Sequence, residues 1–177
     1  MLTLLTGGAR SGKSSAAVRL ATVSGRAVVY VATAEAGDDE MADRISRHQA
    51  DRPSEWTTID APRALAEAVR TVDTQAAVIV DCLALWVTNL LDLADEEIHE
   101  RAAALAGALR ERQADTIVVT NEVGDGIVPD NAVARRFRDV LGTVNQQVRS
   151  VSDQAYLCVA GGVIPITDLT GPEAGRV

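Results

Sequence analysis

Apolar residues in this chain fall into short unbroken runs, separated by longer stretches in which they recur three and four positions apart. The runs are Leu2-Thr3-Leu4-Leu5-Thr6, Ala27–Thr33, Ala76–Asp81, Thr116–Thr120 and Ala155–Ala160. Each has the length of a strand, and continuous apolar character is what a strand buried on both faces requires. The intervening spacing predicts helices over 14–23, 38–52 and 95–112. Two more are expected. One has Asp60 or Ala61 as its cap, Pro62 in its first turn and Leu65, Ala66, Val69 and Val72 facing inward. The other opens at Pro129 and runs its apolar face through Val133, Phe137, Val140, Leu141, Val144, Val148 and Val151. Glu55–Asp60 reads as an extended link or short strand, and the Gly- and Pro-rich remainder after Ala160 as tail. Leu83–Leu93, with Trp86, Leu90 and Leu91, is apolar almost all round and must be covered by the body or by a partner chain. Strands alternating with helices predict an α/β fold with a mostly parallel sheet and helices on both faces, in one domain over residues 1–177.

The 38–52 helix differs from the others. Met41, Ile45 and His48 form a thin apolar stripe, while Asp38, Asp39, Glu40, Asp43, Arg44 and Arg47 cover the rest. Such a helix buries little against its own core, so it is expected to protrude or to meet a neighbouring subunit.

Bulk properties narrow the function. A formal charge of −8 argues against a nucleic-acid surface, so any anion must be held by a local site. The first apolar run is about five residues long and leads straight into a glycine-rich turn, which predicts no signal peptide. No run approaches the roughly 18 apolar residues of a membrane span. The 2 cysteines, Cys82 and Cys158, lie in or beside strand-like runs with no CxxC pairing, as buried free thiols of a cytoplasmic protein would.

The glycine-rich turn is Gly7-Gly8-Ala9-Arg10-Ser11-Gly12-Lys13-Ser14, or G-x-x-x-x-G-K-S between a strand and a helix. This is a P-loop. Its amide N–H groups form a concave anion nest, and the following helix points its positive end at the same anion. Lys13 is placed to reach β- and γ-phosphates, and the Ser14 hydroxyl to ligate Mg²⁺. Ligands on parallel sheets sit beyond the carboxyl ends of the strands, where Thr33–Glu35, Asp81 and Asn121–Glu122 also fall. Asp81 ends its apolar run as the Walker-B acid does and is read as a Mg²⁺ ligand in preference to the alternative, a carboxylate that caps the next helix.

Of the 2 histidines, His99 falls in an acidic amphipathic segment and reads as a solvated surface residue. His48 has two readings. It completes the Met41/Ile45 stripe, or it is a nucleophile that attacks phosphorus and later leaves it, splitting one transfer into two. Arg44, Arg47 and Arg52 flank it, to neutralise phosphate oxygens or to pair with nearby acids. Asn131, Arg135, Arg138 and Asp139 lie mostly off the apolar face of their helix and read as a solvated polar surface.

Beyond these single residues, a set of segments carries a resemblance. They are Thr6–Ser14, Tyr30-Val31-Ala32-Thr33, Asp39-Glu40-Met41-Ala42 through Arg44-Ile45 to His48, Arg52-Pro53 and Trp56. They continue with Trp86–Leu91, Thr120–Gly124, Gly126–Pro129 and Arg135-x-Phe137-Arg138-Asp139 to Asn145-Gln146. Together they resemble the bifunctional adenosylcobinamide kinase/adenosylcobinamide-phosphate guanylyltransferase family of cobalamin biosynthesis. The resemblance implies that a nucleoside triphosphate, ATP or GTP, first phosphorylates adenosylcobinamide. The histidine matching His48 then takes GMP from GTP and passes it to the phosphorylated corrinoid. It also implies that GTP is contacted by Gly7, Gly8, Ala9, Arg10, Ser11, Gly12, Lys13, Ser14, Thr33, Ala34, Glu35, Gln49, Ala50, Asp51, Arg52, Asp60 and Asp81. Mg²⁺ would lie on Ser14 and Asp81. Family members resemble RecA-like P-loop folds and assemble as trimers. From the residues alone two rivals stay open, a monofunctional P-loop metabolite kinase with a structural His48 and a regulatory GTPase or ATPase. Asn121-Glu122-Val123-Gly124 lacks the Lys and Asp of an N-K-x-D guanine reader, which counts against the second rival.

Overall fold

The structure is a computed structural model that describes residues 1–50 and 52–168, apart from the side chain of Arg44; the expected contact at Asp51 lies outside the described residues. In chain order the elements are β1 (Leu2–Thr6), α1 (Lys13–Val23), β2 (Val28–Ala32), α2 (Asp39–Ala50), β3 (Thr57–Asp60), α3 (Leu65–Thr71) and β4 (Ala77–Asp81). There follow α4 (Leu83–Asn89), α5 (Asp95–Arg110), β5 (Thr116–Val119), α6 (Ala132–Arg149), β6 (Gln154–Val159) and β7 (Gly162–Pro165). The described strands form one seven-stranded sheet in the order β3-β2-β4-β5-β1-β6-β7. All neighbours are parallel except β6 and β7.

The apolar runs fold as their composition demands. Leu4 and Leu5, and the successive residues Val78, Ile79 and Val80, are all buried, although neighbouring strand residues point to opposite faces. Both faces of the sheet are therefore covered. Helix α1 packs on β1, β4 and β5; α3 packs beside α5, α5 beside α6, and α6 beside α4. Helix α4 resolves the fate of the all-round apolar segment. Leu83, Ala84, Trp86, Val87 and Leu90 are buried by the body of this same chain.

Several boundaries differ from expectation for identifiable reasons. Pro62 lies in a loop rather than a first helical turn, because α3 starts only at Leu65, with Ala64 at its N-cap and no side-chain cap. Helix α6 begins after Pro129 as well. Asn131, expected on its polar face, is its N-cap, and Oδ1 accepts from the N–H groups of Val133 at 2.8 Å and Ala134 at 3.2 Å. Val133, expected on the apolar face, is exposed. Residues after Ala160, expected as tail, include β7. Ala160 and Gly161 both adopt positive φ, 50° and 82°, in a two-residue hairpin turn closed by Val159 and Gly162. This hairpin touches the P-loop, since Gly161 N–H donates to Ser11 O at 3.0 Å. His99 is half-buried rather than solvated, with Gln147 Nε2 donating to its carbonyl at 3.5 Å.

Candidate nucleotide and transfer site

The site assembles where the sheet releases its chain at the carboxyl ends of β1, β2, β3, β4 and β5. Gly7 follows β1 with φ 144°, and a side chain there would put Cβ 2.3 Å from the carbonyl oxygen of Cys158, so only glycine fits. Gly12, at φ 97°, caps α1 and lies beside Gly161. Lys13 opens the helix, and its Nζ donates to Gly7 O at 2.8 Å, Gly8 O at 2.7 Å and Ser11 Oγ at 3.4 Å. Burial pushes this ammonium below the ordinary lysine range, against the opposing pull of Cys82 and Asp81.

Helix α2 owes its start to Asp38, whose Oδ1 accepts from Met41 N–H at 2.8 Å, and to acids in its first turn and bases in its last. Its thin stripe has a purpose within the chain. Met41, Ile45, His48 and Gln49 face a cavity of about 410 Å³ whose far wall is the P-loop from Ala9 to Ser15. Arg52, Asp60, Asp81 and Ala34 line it too. His48 is half-buried there.

Asn121, expected at this end of the sheet, lines the cavity as well, whereas Tyr30 and Leu85 line it without having been singled out from the sequence. Tyr30 is buried, and its hydroxyl donates to Asp81 Oδ2 at 2.6 Å. Burial and the adjacent carboxylate raise its pKa, so the phenol stays protonated. The Arg52 guanidinium lies 3.3 Å from the centre of the Tyr30 ring, while its buried Nε has no acceptor among the described residues. This hydrogen bond is hard to read from the sequence, because nothing local to Tyr30 says which carboxylate the fold brings beside it.

Of the expected contacts, Gly7, Gly8, Thr33, Glu35 and Ala50 do not line the cavity. Gly7 and Gly8 instead supply carbonyls to Lys13. Thr33 is buried and locks two strand ends, its hydroxyl donating to Cys82 O and accepting from Cys82 N–H, both at 2.8 Å. Asn89 fastens the same region. Its Nδ2 donates to Thr33 O at 2.8 Å and to Pro62 O at 3.0 Å, which fixes the chain on either side of Ala34 and Asp60. Arg135 and Arg138 bond elsewhere, to the carbonyls of Pro129 and Asp130 and to Asp139 respectively.

The donor set suits a magnesium ion carried in by phosphates. Among the described residues no cluster of three or more His, Cys, Asp or Glu side chains is placed to cage a metal. One hydroxyl, Ser14, and one carboxylate, Asp81, beside an anion nest match an ion that takes its remaining ligands from substrate oxygens and water. No described helix is long and apolar enough to cross a membrane.

Sheet order and the P-loop together define a P-loop nucleotide-binding fold. The fold is shared with the RadB recombinase (TM-score 0.50, 17% identity, 88% of this chain and 73% of that one). A type III secretion ATPase gives a TM-score of 0.52 at 13% identity, over 88% of this chain and 51% of that one. Residues 3–166 match the description of cobinamide kinase / cobinamide phosphate guanyltransferase. The bifunctional adenosylcobalamin biosynthesis protein CobP of Pseudomonas aeruginosa is 43% identical over 168 residues, covering 94% of this chain and 97% of that protein. CobU of Escherichia coli, described in the same words, is 38% identical over 91% of this chain and 97% of its own length. The chain belongs to the cobinamide kinase / cobinamide phosphate guanyltransferase family, a family of enzymes.

Proposed function

We propose that this chain phosphorylates adenosylcobinamide from a nucleoside triphosphate, ATP or GTP, and then transfers GMP from GTP through His48 to give adenosylcobinamide-GDP. One observation carries the reading: His48 and Lys13 line a single cavity within one chain. In the transfer, an imidazole nitrogen attacks the α-phosphorus, a P–N bond forms, and the bond to the bridging oxygen breaks with its electrons leaving on pyrophosphate. A phosphate oxygen of the corrinoid then attacks the same phosphorus. The P–N bond breaks, and neutral imidazole is released.

The chain's own groups suit this division of labour. Lys13 and the P-loop amides hold the β- and γ-phosphates, which are the leaving group when attack falls on the α-phosphorus. Mg²⁺ on Ser14 and Asp81 would neutralise charge on those oxygens. Arg52 has an unpaired Nε for a phosphate oxygen, and Gln49, Asp60 and Ala34 border the space left for the nucleoside. The same reading makes the protein a cytoplasmic homotrimer.

Labelling tests it. After incubation with α-labelled GTP and Mg²⁺, the wild-type chain is expected to carry an acid-labile, alkali-stable GMP adduct on His48, and His48→Asn none. A wild-type chain that stays unlabelled while consuming GTP refutes the transfer step.

A further inference from the structure

We propose that Tyr30 is a positioning residue for guanylyl transfer, joining the carboxylate of Asp81 to the helix that carries His48 by way of Arg52. The inference rests on the guanylyl-histidine reading above and adds a residue to it.

The sheet register explains how one side chain reaches both partners. Tyr30 pairs with Thr58 on β3 and with Ile79 on β4, and Asp81 lies two residues beyond Ile79. Residues two apart on a strand share a face, so Asp81 is the diagonal neighbour of Tyr30, within reach of a long aromatic side chain. The hydroxyl spans that diagonal and takes one carboxylate oxygen, Oδ2, at 2.6 Å. Among the described residues nothing donates to Oδ1. Tyr30 thus fixes the rotation of Asp81 and leaves the other oxygen to the cavity.

On the other side the ring carries a cation. The Arg52 guanidinium sits 3.3 Å from the ring centre, and Nη1 also reaches Thr58 Oγ1, the register partner of Tyr30, at 3.5 Å. Arg52 N–H donates to Gln49 O at 3.2 Å, which ties Arg52 back to the end of α2. His48 lies in the last turn of α2, which ends at Ala50, and Arg52 follows just beyond that end. Holding the Arg52 side chain on the ring therefore holds the end of α2 against the sheet, with His48 facing the cavity that the P-loop also lines. Few other contacts do this, because no described residue of α2 is fully buried. A Val or Ala, as found elsewhere in β2, does neither job; a Phe does only the second.

Two substitutions separate the two tasks. Tyr30→Phe removes the hydroxyl and keeps the ring. With the α,β-methylene analogue of GTP bound, its affinity for Mn²⁺, titrated by electron paramagnetic resonance, is expected to fall about tenfold, as for other groups that orient a metal ligand. At saturating Mg²⁺ its rate of GMP–His48 formation is expected to fall less than that of Tyr30→Leu. Tyr30→Leu removes the ring as well, and its adduct rate at saturating Mg²⁺ is expected to fall about tenfold. In an Arg52→Gln background, Tyr30→Leu is expected to cost nothing further, since the ring acts through Arg52.

Cooperative thermal unfolding checks that each variant is folded. Should Tyr30→Leu fail to fold, Arg52→Gln alone is decisive, and a wild-type adduct rate in it overturns the ring's role. Unchanged Mn²⁺ affinity in Tyr30→Phe overturns the hydroxyl's role. Multiplied losses in the double variant overturn the link through Arg52. If wild type forms no adduct yet Tyr30→Phe still weakens Mn²⁺, the guanylyl-histidine reading and the His48 half fall, and the Tyr30–Asp81 half stands.

Discussion

Cys82 stands in the cavity wall directly after Asp81, and its thiol is far less reactive than that position suggests. Burial, and then the charge of Asp81, push it from an ordinary value of 9.0 up to about 11. A raised acid pKa means that the folded chain holds its proton more tightly than the unfolded one. The resulting stabilisation is complete below pH 9.0 and is lost as pH climbs through about 11. Reactivity follows the thiolate. In a Cys158→Ala background, iodoacetamide is expected to label native Cys82 at pH 7.5 about two orders of magnitude more slowly than the urea-unfolded chain. The native rate should then rise about tenfold per pH unit until pH 11. A native rate equal to the unfolded one at neutral pH would mean that the cavity wall opens freely.

Elements here are fastened by side chains as much as by apolar packing, and Arg112 is the clearest case. The 95–112 spacing predicts that it ends a helix, but α5 stops at Arg110 and Arg112 turns inward. Its Nε donates to Thr116 Oγ1, Nη1 to the carbonyls of Val69 and Val72, and Nη2 to those of Asp73 and Ala76. All five guanidinium N–H groups are used, and together they tie the end of α3 to the starts of β4 and β5. Lysine has three donors and no fork. Arg112→Lys is therefore expected to lower unfolding free energy by about 2–3 kcal/mol in urea titrations while leaving turnover intact, because it sits at the amino ends of β4 and β5, opposite the end that carries the P-loop. The same residue shows why some of the fold was legible and some was not. Strand runs and the P-loop are local patterns, and they were read within a residue or two. Caps and pins such as Asn131 and Arg112 depend on which carbonyls the tertiary fold brings near. The β6–β7 hairpin was missed because Ala160 occupies a positive-φ turn position where Asn, Asp or Gly gives the usual signal. In the site, the P-loop, Asp81 and His48 could be picked by chemistry, whereas Tyr30 joins them only through sheet register.

At the scale of the whole molecule, charge and the open sheet edge pull in opposite directions. The antiparallel β7 pairs on one side with β6, and its outer edge carries exposed Val163 and Ile164, with Val159 and Ile166 exposed nearby. An apolar strand edge with no partner among the described residues invites another chain, and the proposed homotrimer would use it. Each copy, however, brings a formal charge of −8, so association works against mutual repulsion that salt confines to about 8 Å at 0.15 M but lets reach about 30 Å at 0.01 M. Light scattering is expected to give three times the 18.7 kDa chain mass at 0.15 M salt and a lower average mass at 0.01 M. Ile164→Glu puts a further negative charge on the edge of a chain whose formal charge is already −8. It is expected to leave the circular dichroism spectrum unchanged, since Ile164 is 55% exposed and contributes little to this chain's core, while shifting the mass to that of a single chain at both salts. A trimer that survives this substitution would move the contact to another face. The loop bearing exposed Ile127 and Val128 would then be the surface to mutate next, because it follows Asn121 out of the nucleotide cavity.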